Sequence, residues 1–305
     1  MNGFSGTMLS LAGNTGGQVY NDGPDATLTI APASGSATFA GTIKDSGAGQ
    51  ALALVMNGAA GSKEILSGAN TYVGGTTISG GILGVGSNTA LGTGTVTLDG
   101  GALETEGDFT LANALAVNST GGTIDANGQA LFLAGGIGNG INGNAGTLTF
   151  TDTSGNGIVV LQGTSSYGGA VVIDSGATVA ADGANTLPGG AYTVNGTLNI
   201  TGAQTISSLA GSGSAVGNFG GGTLSVNQAS GTSTFSGTLD DNGSNPLSLV
   251  KAGAGTLNLS SANTFTGGTT LNGGTLGAGN DSALGSGSVT LNGGTLLYAN
   301  TVNLA

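Results

Sequence analysis

Glu104, Glu106 and Asp108, in the run LETEGDF, are the densest set of ionisable side chains in the sequence. On a strand, residues i, i+2 and i+4 share one face. Three carboxylates so aligned are candidates for holding a cation, or for cleaving a glycosidic bond as an acid–base pair. A solvated outward face produces the same spacing, and no Arg or His lies nearby to bind a substrate, so that blander reading is preferred. The segment Gly277–Asp281, GAGND, has the G-x-G-x-D spacing of calcium-binding β-rolls, which stack that motif many times. Here it occurs once, and the related segment Gly84–Asn88 carries no carboxylate, so no metal site is expected.

The missing residue types narrow the chemistry further. The chain has no His, Cys, Trp or Arg, and its three basic residues are Lys44, Lys63 and Lys251. Ser-His-Asp and Cys-His catalysis, thiolate zinc sites and the usual haem ligation are therefore excluded, and no cofactor is expected. A β-helical polysaccharide lyase needs calcium ligands and a basic group to abstract a proton. The lysines adjoin acids only as Lys44–Asp45 and Lys63–Glu64, which read as ordinary surface pairs, so the chain is expected not to be an enzyme. A formal charge of −12 disfavours nucleic acid and anionic lipid as partners. Tyr72, Tyr167 and Phe265 recur at one position of a repeat. They would suit either a carbohydrate-stacking ladder or packing, and packing is preferred.

What would position these residues is a repeat. LSGANTYVGGTTISGGILGVGSNTALGTGTVTLDGGAL (Leu66–Leu103) returns as LSSANTFTGGTTLNGGTLGAGNDSALGSGSVTLNGGTL (Leu259–Leu296). Asn70 to Asn263 and Leu103 to Leu296 are both 193 residues apart. Upstream, TFAGT (Thr38–Thr42) matches TFSGT (Thr234–Thr238) at a spacing of 196, so a three-residue indel lies between. It falls by the acidic turns KDSGAGQ (Lys44–Gln50) and DDNGSNP (Asp240–Pro246), where insertions cost little. A degraded third copy begins at LQGTSSYGGAVVIDSGATV (Leu161–Val179). The repeat units are thus about 38–103, 146–200 and 234–297, within one continuous solenoid over 1–305.

The intervening grammar is short strand, Gly/Asn corner, short strand. With 65 Gly, 6% charged residues and 38% hydrophobic residues, the chain is too apolar and too weakly charged for ordinary disorder. Thr27–Ile30, Gly94–Gly101, Gly146–Asp152, Gly255–Ser261 and Gly287–Gly294 alternate at period two, placing Val96 and Leu98 on the face opposite Thr95 and Thr97. The pairs Asp99-Gly100, Asn195-Gly196, Asn272-Gly273 and Asn292-Gly293 are expected to supply positive φ at corners. Asn70 and Asn263 are expected in an internal hydrogen-bonded turn. No helical period is evident beyond a short turn around Thr110–Val117. Inward Leu, Val and Ile returning about every 20–25 residues fit an all-β fold, a single-stranded parallel β-helix of roughly 14 coils and about 65 Å.

The block GANTYVGGTTISGGIL and its copy SANTFTGGTTLNGGTL resemble the passenger-associated transport repeat of bacterial autotransporters. The residues carrying the resemblance are Asn70, Thr71, Tyr72, Gly74, Gly75, Thr76 and Thr77, and Asn263, Thr264, Phe265, Gly267, Gly268, Thr269 and Thr270. Ser261 departs from the family's first Gly, and the third copy lacks both the Asn-Thr and Thr-Thr pairs. The resemblance implies a right-handed β-helix displayed outside a Gram-negative cell after type V secretion, with repeats that support export. It implies an adhesin-like passenger stalk whose partners are a surface glycan or protein of a host or neighbouring cell. Self-association through solenoid ends is the second reading. No stretch is apolar enough to insert in a membrane, and the first residues lack a signal peptide's basic and apolar regions. The chain is therefore expected to be a fragment, with signal peptide and translocator barrel outside it, and Thr301–Ala305 is expected to open a further strand.

Overall fold

A computed structural model describes residues 1–47, 49–143 and 145–298. The expected strand at Thr301–Ala305 lies outside the described residues. Among those described there are 32 short strands, one 3-10 turn and no α-helix. The result is a parallel β-solenoid of about 13 turns, close to the coil number expected. The backbone divides into two compact units, Met1–Val159 and Val160–Ala305.

In the first unit, strands Gly6–Met8, Ala26–Ile30, Leu52–Asn57, Thr76–Gly80, Val96–Leu98, Leu115–Val117 and Ile137–Asn139 make one sheet. A second contains Ser36–Phe39, Lys63–Leu66, Ile82–Val85, Ala102–Thr105, Gly122–Asp125 and Thr147–Thr151. Shorter pairs join Gln18–Asn21 to Thr42–Asp45 and Phe109–Leu111 to Ala130–Leu133. Each strand pairs in parallel with its counterpart one coil away, so successive coils repeat the same inward positions. Leu28, Leu54, Thr76, Val96, Leu115 and Ile137 form one such buried ladder. Burying each aliphatic member stabilises the fold by about 1.5–3 kcal/mol, and neither the coil above nor the coil below can be omitted without exposing it.

The second unit follows the same plan. One sheet holds Thr178–Ala181, Thr197–Ile206, Ser214–Asn227, Leu247–Ala252, Thr269–Leu271 and Val289–Leu291. Another holds Thr232–Phe235, Thr256–Leu259, Thr275–Ala278 and Thr295–Tyr298. The corners differ from expectation in detail. Gly100 has positive φ, but after Asn272 and Asn292 that conformation falls one residue later, on Gly274 and Gly294. Gly196 does not adopt it. There a Cβ would lie 2.2 Å from the carbonyl oxygen of Ala177, so glycine serves close approach between coils instead. The segment Thr110–Val117 contains no helical turn; it ends one strand and holds another.

Candidate functional site

The transport-repeat motif occupies a corner of each unit, and its amide is the centre of the arrangement. Asn70 is buried; its Oδ1 accepts the Ile43 N–H at 2.7 Å, and its Nδ2 donates to the Ala90 carbonyl at 2.5 Å. Asn263 does the same between the Leu239 N–H at 2.8 Å and the Ala283 carbonyl at 2.6 Å. One side chain therefore ties three successive coils. The bonds run between coils rather than within the turn expected from sequence. Ser165 stands in the degraded copy, where its N–H still reaches the Asn185 carbonyl at 3.2 Å. The Asn70 and Asn263 N–H groups make the corresponding bonds to Thr89 and Ser282 at 3.2 and 3.1 Å. The backbone path survives there without the amide clamp.

The other motif residues support this corner. Tyr72, Tyr167 and Phe265 are fully buried, so they pack in the core and present no stacking face to solvent. The Tyr72 hydroxyl is 2.6 Å from the Thr76 Oγ1, which donates to the Leu91 carbonyl at 3.3 Å. Phe265 has no hydroxyl, and Thr269 makes the corresponding bond to Leu284 alone, at 3.0 Å. Burial pushes the Tyr72 phenol far above its ordinary value, against the pull of its bond to Thr76. Gly75 and Gly268 have φ of 83° and 89°, while a Cβ on Gly74 or Gly267 would meet a backbone oxygen at 2.6 or 2.4 Å. Thr71 and Thr264 are exposed, the latter hydrogen-bonded to Asp240. Thr77 and Thr270 are half-buried in outward ladders.

The acidic cluster is not a bare face. Lys63 reaches across two coils, and its Nζ lies 2.5 Å from both Glu104 Oε1 and Glu106 Oε1. Glu104 is buried beneath this pair rather than solvated. Burial alone would lower the Lys63 pKa, but hydrogen bonds and attraction from the two glutamates outweigh it and raise the value. Asp108 turns away to accept the Ala130 N–H at 2.8 Å. Lys63 is thus not paired with Glu64 at the surface: period-two alternation sends the lysine outward and Glu64 into the core. The pairing of Lys44 with Asp45 fails for another reason. The Asp45 carboxylate is occupied by the N–H groups of Leu52 at 2.6 Å and Val73 at 2.8 Å.

Asp241 repeats that clamp, accepting Leu247 N–H at 2.7 Å and the Thr266 hydroxyl at 2.6 Å. Burial raises its pKa, yet those hydrogen bonds and the Thr266 N–H together bring it below the usual aspartate value. Sequence reasoning located the acidic turns but assigned them no role; an Asp held in both copies before an apolar run was the available signal. Asn113, bonded to the Gly92 carbonyl at 3.1 Å and the Gly94 carbonyl at 2.7 Å, had no such signal. Lys251 is also buried, its Nζ donating to the carbonyls of Ala252, Gly253 and Gly273 at 2.6, 3.0 and 3.4 Å. Gly277 and Asp281 belong to the repeat's own coil, and no group of three His, Cys, Asp or Glu among the described residues is placed to hold a metal.

Buried clamps, stacked coils and bridged charges define a structural repeat. The model of the passenger-associated-transport-repeat matches residues 63–85, 153–181 and 249–278, so the chain carries that repeat three times. A 63-residue stretch is 48% identical to the adhesin BmaC autotransporter of Brucella suis biovar 1 (strain 1330). That match covers 20% of this chain and 2% of the relative's length. No solved structure matches the chain.

Proposed function

We propose that this segment is a non-catalytic, adhesin-like passenger stalk, displayed at the surface of a Gram-negative cell, whose repeats promote folding during export. The observation that carries this reading is the Asn70 and Asn263 clamp. Each amide bonds to the coil before it and the coil after it. A newly emerged coil that docks on a folded one gains one of these buried hydrogen bonds, and the coil docking on the other side gains the second, which favours stepwise stacking and opposes backward sliding. The ion pairs of Lys63 with Glu104 and Glu106 support the non-catalytic part, since the lysine holds both carboxylates in a structural bridge between coils.

The test is export of the parent protein carrying N70A, N263A or both. Surface-exposed passenger should fall in each single variant and further in the double variant, while total synthesis stays level. A T77S control should export normally. Unchanged export of the double variant would remove the proposed role. Coil-upon-coil folding in which the C-terminal coils serve as the template also implies that Leu249–Leu297 resists a broad-specificity protease longer than the N-terminal half; a surviving N-terminal core counts against it. For the non-catalytic reading, any polysaccharide turnover that disappears in E104Q/E106Q would overturn it.

A further inference from the structure

Glu64 occupies a position built for a hydrocarbon. It is fully buried, in register with Ala37 on one side and Leu83 on the other, with Leu103 one coil further. The second repeat places Leu257 at this position, stacked on Leu276. In the core carboxylate, Oε2 accepts the Leu11 N–H at 3.2 Å, and Oε1 is buried with no partner. Leu9–Ala12 crosses the fold between strand Gly6–Met8 and the bridge of Gly13 to Phe39. Among the described residues, the bond to Glu64 is what ties the backbone of this crossing down.

We propose that Glu64 is a protonation latch: neutral, it holds the Leu9–Ala12 crossing closed, and ionised, it opens the crossing to reach water. An ionised carboxylate with one hydrogen bond is poorly compensated in an apolar core, and the segment its own oxygen holds is exposed to solvent at Leu9, Ser10 and Ala12. No ionisable side chain offsets this. Strands Ser36–Phe39 and Ile82–Val85 and residues 9–17 contain none, the ladder Leu28–Leu54–Thr76 of the neighbouring sheet has none, and Lys63 is committed outward to Glu104 and Glu106. Burial pushes the Glu64 carboxyl up to about 7, against the bond from Leu11.

The sign follows from linkage. The closed crossing holds the proton that the open one releases between the ordinary value of 4.5 and about 7. Opening therefore gains about tenfold per pH unit across that window and levels off above it. Below 4.5 the closed state is fully favoured. This inference is independent of any role in export.

The experiment follows amide hydrogen exchange at Leu11 by NMR, with the carboxyl carbon of Glu64 titrated in parallel. The Leu11 protection factor should fall about tenfold per pH unit from pH 4.5 to 7, with the carboxyl midpoint near 7. E64Q keeps an oxygen acceptor without a titrating proton and should stay protected at every pH. E64L, matching Leu257, should fold with Leu11 unprotected at every pH. A flat wild-type profile, a carboxyl midpoint near 4.5, or an E64Q profile that tracks wild type would each overturn the latch.

Discussion

Asn70 and Asn263 show why a single amide is retained where the surroundings diverge. Each pairs a donor and an acceptor that face each other across a coil and would otherwise be buried without partners. Replacing either by Ala leaves both unsatisfied and should cost about 2–4 kcal/mol, read from urea unfolding. An Asn-to-Ala change of under 1 kcal/mol would show that water takes over the clamp. Lys251 is the opposite case. Register places it above Leu271 as Met56 lies beside Ile78 in the other copy, so the same core position holds a cation in one repeat and a thioether in the other. Burial pulls the Lys251 ammonium below the ordinary lysine value, and three carbonyls replace its water. K251M should be neutral or stabilising by about 1 kcal/mol in thermal unfolding, because a well-packed apolar group avoids the desolvation of a buried charge. A loss above about 2 kcal/mol would mean that the three carbonyls need the cation.

At the scale of elements, strands were far more legible than the contacts between them. The alternation around Val96 and Leu98 announces a strand because one face must be apolar, and the register of that strand follows from stacking like on like. The partners of Lys63 were not legible, since Glu104 and Glu106 lie 41 and 43 residues away and become neighbours only when coil lengths are known. The adjacent Glu64 invited a pairing that strand geometry forbids. Corner glycines were recognised as a class but not by role. Gly92 and Gly285 have φ of 63° and 71°, and a Cβ on either would lie 2.4 Å from the carbonyl oxygen of the aromatic residue one coil below. Both constraints act together, so G92A and G285A should each cost about 2–4 kcal/mol in chemical denaturation. Stability within 0.5 kcal/mol of wild type in either variant, roughly the scatter of surface substitutions, would show that the corner can open.

At the scale of the whole molecule, the two units should respond to pH in opposite senses. Glu64, raised to about 7, favours the first unit at low pH and weakens it as pH climbs from 4.5 to 7. Asp241, lowered below 3.8, lends the second unit stability that is present above that value and lost as pH falls through its folded pKa. Hydrogen–deuterium exchange resolved by segment should therefore show residues 1–159 loosening on the way to neutrality while 160–298 loosen in acid. A common profile in both units would contradict these assignments. The clamps carry one more consequence, for force. In each unit the hydrogen bonds between coils lie along the direction in which coils stack. A load applied along that direction opens them in tension, a coil at a time, and only an amide that grips both neighbours makes three coils share it. Asn70 and Asn263 are thus the points, one in each unit, at which an unravelling stack of coils would stall under load.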